Sequence, residues 1–265
     1  MIELVDVRLD HPRGGTPLVA EGNLRVASGE VALVVGAAGV GTSRLIAALL
    51  GEVPANAGRI EVLGHDVAKL RNSSLRRLRR KIGIVPQDLC LLEDRSAEGN
   101  VALALEIDGI PRAVALAKAR EVLAKLGLER EASLPVERLS SSVRQRVAIA
   151  RALVRSPVLV IADHPTMWQD AAGAELVCDA FATSGATVLV FGRDLALRTI
   201  AERRRWRQLA LIHGALEPLG DVELDGRSID ELLLGMESAP ARPKPPESIP
   251  NLVPFPLSAR TAGVA

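Results

Sequence analysis

Apolar and polar residues alternate over residues 2–8, the period of a strand with one face in a core. A turn at Pro12-Arg13-Gly14-Gly15 follows, and residues 24–27 read as a second short strand closed by Ser28-Gly29-Glu30. Residues 31–35 are apolar throughout, as in a strand buried on both faces. They run into a glycine-rich stretch, residues 36–43, and then a helix-like segment, 44–50, that stops at Gly51. Residues 58–64 form a strand bounded by glycines, 74–80 a basic helix, and 82–85 a strand ahead of Pro86-Gln87-Asp88.

From Leu89 to about Leu134 the period becomes helical, with Leu116, Ala119, Leu123 and Leu126 on one face and Gly127 closing the helix. A second long helix is expected over residues 139–154, entered through three serines suited to capping. Residues 158–162 and 187–191 are β-branched runs of the parallel, fully buried kind. Strands alternating with helices at this spacing predict a parallel α/β sheet.

Composition narrows the class. With 48% hydrophobic and 25% charged residues among 265, a full core is available and global disorder is excluded. Aromatic residues are only 2%, with no Tyr, which argues against a base-stacking nucleic-acid platform. A net charge of +1 gives no global field toward DNA or an anionic membrane. Cys90 and Cys178 sit in apolar-leaning segments and read as core thiols of a reduced compartment. The acidic, alternating start is no signal peptide, and no run approaches the ~18 apolar residues of a membrane span. The expectation is a cytoplasmic protein whose membrane work goes through a partner. Residues 238–256 hold seven of the 16 prolines, so a domain over 1–235 and an extended or disordered tail over 236–265 are expected.

The stretch 36–43 reads GAAGVGTS. It fits the phosphate-loop pattern G-x-x-x-x-G-K-[ST] at Gly36, Gly41 and Ser43, with Gly39 as a further flexible point, but Thr42 stands at the lysine position. Glycines let the backbone curl around phosphates while helix N-terminal amides face the anion. By itself the stretch fits an ordinary tight turn as well.

From Leu139 the chain reads LSSSVRQRVAIARALVRSPVLVIADHPT. This resembles the signature helix and Walker B strand of ABC-type ATPases, LSGGQ-x-QRVAIARAL followed by PxLLLADEPT, without a gap through Thr166. Glycine loop, Q-loop, signature and Walker B also occur in that family's order and spacing. Gly64-His65-Asp66, residues 78–83, Gln87-Asp88, Leu91-Leu92, Asp94-Arg95 and residues 100–103 look most like the cell-division branch, FtsE. The lipoprotein-release and macrolide-export ATPases are near neighbours of that branch. The resemblance spans about residues 2–219. It implies a parallel-sheet core, an antiparallel β subdomain and a helical subdomain over about 89–155. It also implies ATP and Mg as ligands and pairing into a homodimer, or a heterodimer with another ABC subunit. The pair would sit under an FtsX-type integral membrane subunit at the inner face of the cell membrane, with no nucleic acid.

Carried over position by position, the resemblance also shows departures. Thr42 replaces the phosphate lysine, and Ser141 and Ser142, after Ser140, replace the signature glycines. Val143 stands for the following glutamine, His164 for the catalytic glutamate, Arg193 for the switch histidine and His11 for the adenine-stacking aromatic. Ser43 and Asp163 remain for magnesium, with Gln87 for the metal and the attacking water. Losing a charged hydrogen bond to phosphate weakens binding by about ten- to a hundredfold. Losing a positioned base costs roughly 10²–10⁴ in rate. The implied reading is a pseudo-ATPase whose binding of ATP and Mg is weak or absent and whose catalytic set is not intact. The alternative is a working ATPase subunit of the lipoprotein-release or macrolide-export type.

Arg44 and Arg193 either restore the missing phosphate charge or serve locally, Arg44 at a helix start and Arg193 beside Asp194. The basic runs 76–81 and 203–207 read as solvated faces. Leu89, Leu91, Leu92, Val101, Leu103 and Leu105 either line a docking groove rimmed by Asp94 and Arg95 or belong to the core.

Overall fold

The computed structural model describes residues 1–37 and 39–219. The expected tail at 236–265 and the boundary near Gly235 lie outside the described residues.

The unbroken apolar runs make the centre of the sheet. β3 (Val31–Gly36), β7 (Leu159–Asp163) and β8 (Thr187–Phe191) are buried along almost their whole length. With β6 (Ile82–Val85) and β9 (Arg207–Ile212) they form a parallel array in the order β9-β3-β8-β7-β6. Alternate side chains of β3 serve opposite layers. Leu33 and Val35 pack into one core with the helices, and Ala32 and Val34 into the other.

β10 (Ala215–Pro218) pairs antiparallel with β9 and touches β2 (Val19–Val26) through Ala215 and Glu21. β1 (Ile2–Leu9) then joins β2 to β4 (Ala57–Val62), and β5 (His65–Asp66) ends this antiparallel side, giving one ten-stranded sheet among the described residues. β2 starts at Val19, well before the expected residue 24, because Glu21, Gly22 and Asn23 interrupt the apolar alternation. The pairing register with β1 slips beside them, between Leu4 and Val7. There Asp6 takes a left-handed φ of 49°, and Asn23 replaces the lost ladder bonds. The Asn23 side chain accepts from the Asp6 amide at 3.0 Å and donates to its carboxylate at 3.1 Å.

The helical part is α3 (Ala97–Glu106), α4 (Arg112–Lys125) and α5 (Ser141–Leu153), packed together over the core that holds Leu33 and Val35. The buried face of α4 is Ala115, Ala119 and Leu123, with Leu116 only half-buried. The segment 89–96 is not helical. Leu89 and Cys90 have left-handed φ of 60° and 46°, and Arg151 donates to their carbonyls at 2.6 and 2.5 Å. That twist turns Cys90 outward, where its thiol donates to Asp88 at 2.9 Å, so only Cys178 is a core thiol. Burial pushes the Cys178 thiol up to about 12. Of the expected groove residues, Val101 and Leu105 are core, Leu89, Leu91 and Leu103 are half-buried, and Leu92 is exposed.

Asn100, buried on α3, organises that loop. It accepts from the Leu92 amide at 2.7 Å and donates to the carbonyls of Leu92 and Ser96 at 2.9 and 3.1 Å. None of the helices among the described residues is long and apolar enough to cross a membrane. Replacing Asn100 with Ala leaves the Leu92 amide without its partner, while the Leu92 and Ser96 carbonyls keep the backbone amides of Arg95 and residue 100. The expected cost is about 1–3 kcal/mol, read as a lower urea midpoint at unchanged m.

Candidate functional site

The glycine loop leaves the C-terminal end of β3 and enters α1 (Thr42–Leu49). Gly41 caps α1 at a φ of 111°, and a Cβ there would lie 2.7 Å from Cβ of Leu18, so both backbone and space require glycine. No side chain caps the first turn and no carboxylate lies in it, which leaves the helix end to an anion. A Cβ on Gly36 would meet the Thr42 methyl at 3.2 Å. The residue in the lysine's place therefore packs back on the loop instead of projecting a charge.

A cleft of about 340 Å³ is lined by Gly39, Gly41, Thr42, Ser43, Arg44 and His11. The structure thus brings the sequence-predicted nucleotide residues together, with Gly36 just behind them. Arg44 sits in the first turn of α1, half-buried, and its Nε is buried without a hydrogen-bond partner. It makes no ion pair among the described residues, so its charge is directed by no carboxylate and lies in the cleft wall.

Ser43 also lines a second cleft, of about 670 Å³, together with Gln87 and Asp163. Asp163 ends β7, and its Oδ1 is buried without a partner. Burial raises its carboxyl above the usual range, opposed by the neighbouring His164. An orphaned carboxylate oxygen in one cleft with a hydroxyl and a side-chain amide fits a hard divalent cation such as Mg²⁺. Met167 and Trp168 lie in the same wall, at 39% and 49% exposure.

His164 follows Asp163 with a left-handed φ of 50°. Its amide donates to the Phe191 carbonyl at 2.7 Å, and its own carbonyl accepts from Gln145 at 2.9 Å. The ring Nε2 is 3.9 Å from Asp163 Oδ1. Burial holds the imidazole below its ordinary pKa; Asp163 opposes this, Arg193 adds to it and Asp194 opposes it. The ring is neutral at pH 7, and the burial that disfavours its protonated form makes it a weaker proton acceptor than an ordinary imidazole.

Arg193 is half-buried near His164. The Asp194 carboxylate accepts from the Leu197 amide at 2.9 Å, capping α7 (Leu195–Arg203), and from Thr166 Oγ1 at 2.8 Å. Asp194 therefore ties the exit of β7 to the exit of β8. Ser140 caps α5, accepting from the Val143 amide at 3.4 Å and lying 3.1 Å from Ser142 Oγ. None of Ser140, Ser141 and Ser142 lines either cleft, so the structure does not bring the signature together with this chain's own loop.

Sequence reasoning missed Gln145. It is buried on α5, donates to the His164 carbonyl, and accepts from the Trp168 amide at 3.2 Å and from Gln169 at 3.0 Å. Gln169 also donates to the Ser142 carbonyl at 2.9 Å. One buried amide thus links the signature helix to the segment after Asp163. Its only signal in the sequence is its place in the Gln145-Arg146 pair of the signature helix.

A buried parallel sheet carrying a glycine loop into a helix, with Ser43 and Asp163 in one cleft, defines a P-loop nucleotide-binding domain. The ABC transporter family profile matches residues 19–167, and the chain belongs to that family. It is similar to proteins named methionine import ATP-binding protein MetN. The one from Caulobacter vibrioides is 35% identical over 77% of this chain and 63% of its own length. That from Brucella abortus is 34% identical over 84% of this chain and 60% of its own. The chain thus spans about three-fifths of these relatives. Among solved structures it is similar to the dimeric ATP-binding cassette MJ0796 in a post-hydrolysis state bound to ADP and Pi. The TM-score is 0.73 at 28% identity, over 82% of this chain and 97% of that one.

The lowered His164 pKa has a defined sign. Below pH 6.5 the unfolded chain takes up a proton that the native chain does not. His164 therefore lowers stability as pH falls from 6.5 toward its native value, by at most ~1.4 kcal/mol per pH unit. Denaturation across this range should show a smaller loss for His164→Gln than for the unaltered chain.

Proposed function

We propose that this chain is an ATP-binding-type subunit of a membrane ABC complex that holds nucleotide weakly and has lost hydrolysis. The observation that carries the reading is the buried His164 directly after Asp163, where the family resemblance places a carboxylate general base: burial disfavours the imidazolium that would form on taking a proton from water. Removing such a base costs roughly 10²–10⁴ in rate. The Thr42 methyl against Gly36, and two serines in place of the signature glycines, act in the same direction. Residues 1–235 are taken as the nucleotide-binding domain.

If nucleotide binds, the loop amides and Arg44 face its phosphates, His11 borders the base side, and Ser43, Asp163 and Gln87 hold Mg²⁺. The magnesium supplies charge for the phosphate oxygens; Gln145 and Asp194 fix the backbone around it. With the signature outside both clefts, a second ATP-binding chain completes the site, either a copy of this one or another ABC subunit.

The membrane partner is an integral membrane subunit seated against the segment after Gln87, where Leu92 is exposed. The relatives' names favour a transporter of the importer kind over the FtsX-type cell-division complex, which rests on residues 64–103 alone. The chain's place is then at the inner face of the membrane.

Phosphate release from Mg-ATP by the purified chain should stay below ~1 s⁻¹, the low end of ordinary turnover. The pair Thr42→Lys with His164→Glu should raise it at least tenfold. Turnover of the unaltered chain at or above that level overturns the reading. In calorimetry, residual Mg-ATP binding should weaken about ten- to a hundredfold in Arg44→Ala. Micromolar affinity that survives this change would assign the phosphate contact elsewhere.

A further inference from the structure

One stretch of the chain is basic without any acidic residue to balance it. Residues 69–81 carry seven of the 33 Lys and Arg and no Asp or Glu, although the whole chain is only +1. Most of them flank or lie on α2 (Asn72–Arg79), which Leu75 and Leu78 anchor to the core. Some of this charge is committed. Arg79 donates to the carbonyls of Leu50 and Gly51 at 2.8 and 3.2 Å, closing the end of α1, and Lys69 pairs with Asp66 at 3.0 Å. Arg80 lies 3.8 Å from Asp108, whose other oxygen takes Arg155 at 2.5 Å.

Arg71, Arg76, Arg77 and Lys81 are exposed and make no ion pair among the described residues. A helix C-terminus favours basic residues in its last turn, which accounts for part of the run. It does not account for Arg71 before the helix, nor for Lys81 beyond it.

Two exposed apolar side chains lie toward the Arg80–Lys81 end of this run. Ile107, 61% exposed, precedes Asp108, which lies 3.8 Å from Arg80, in the turn between α3 and α4. Val158, 47% exposed, follows from Lys81, whose carbonyl accepts its amide at 3.0 Å. A single-stranded nucleic acid is bound by cations together with ring faces on which bases stack, and this chain has 2% aromatic residues. The lipid–water boundary takes basic head groups and aliphatic side chains together.

We propose that α2 and the α3–α4 turn form a contact surface for anionic lipid headgroups. The contact is independent of the nucleotide site and acts whether or not ATP is hydrolysed. It orients the chain under the bilayer in addition to whatever a membrane subunit does.

The test is co-sedimentation of the full chain, without partner, with vesicles of equal parts phosphatidylglycerol and phosphatidylcholine. Binding is expected there and not to pure phosphatidylcholine, and it should fall as salt shortens the Debye length. At about fivefold per basic residue, Arg76→Glu with Arg77→Glu should lower partitioning at least ~25-fold. The milder pair Arg76→Gln with Arg77→Gln guards against misfolding, checked by an unchanged melt. Ile107→Asn should weaken binding severalfold without changing its salt dependence. Lys118→Glu with Lys125→Glu, the same charge change on exposed residues of α4, should leave binding unchanged. Equal binding to neutral vesicles, an equal loss in the Lys118 and Lys125 pair, or no loss in the Arg76 and Arg77 pairs overturns the proposal. So does tighter retention on duplex DNA at the same salt.

Discussion

The central strands are buried on both faces, and that constraint decides where chemistry is possible. β3, β7 and β8 have no exposed face on which to display a functional group, so groups emerge only where the strands end. Those ends lie side by side because the strands are parallel and in register, with Asp163 opposite Phe191. The glycine loop leaves β3, Asp163 and His164 leave β7, and Gly192 to Asp194 leave β8. A backbone bond from the His164 amide to Phe191 and the Thr166–Asp194 bond lock the last two exits together. The clefts follow from this edge, and their geometry persists through bonds that do not involve the side chains of Thr42 and His164.

That persistence explains how a frame and its chemistry separate. Gly41 is fixed by a left-handed φ and by the closeness of Leu18, Asn100 by a ring of backbone partners, and Gln145 by two backbone partners and the Gln169 side chain. These features serve folding as well as any ligand. The side chains at Thr42 and His164 hold none of these backbone bonds. On the proposed reading, a threonine that packs on the loop in place of a lysine, and an imidazole in place of a carboxylate, leave that frame standing and remove the charges on which phosphate transfer depends. Asp163 retains a buried oxygen without a partner, a cost that a bound cation would relieve.

Much of this was legible in the sequence. The doubly buried runs matched β3, β7 and β8 nearly to the residue, and the signature stretch placed the capped helix α5. Periodicity failed where local side chains override it. β2 was cut short by Gly22 and Asn23 at a bulge, and residues 89–96 read as helix although Arg151 and Asn100 hold them in a loop. Cys90 looked like core from its neighbours because nothing in an apolar count reports a left-handed turn. The candidate site was legible as a set of residues but not as two clefts sharing Ser43. Gln145 was invisible because its partners are main-chain groups and a distant Gln169.

The central claim is that the phosphate loop and its cleft survive while the hydrolytic step does not. The most direct measurement is a single turnover, with the chain in large excess over Mg-ATP labelled at the terminal phosphate. The account predicts that the label remains in ATP for hours and that recovered nucleotide is unchanged. A burst of free phosphate matching the bound ATP within seconds would contradict it.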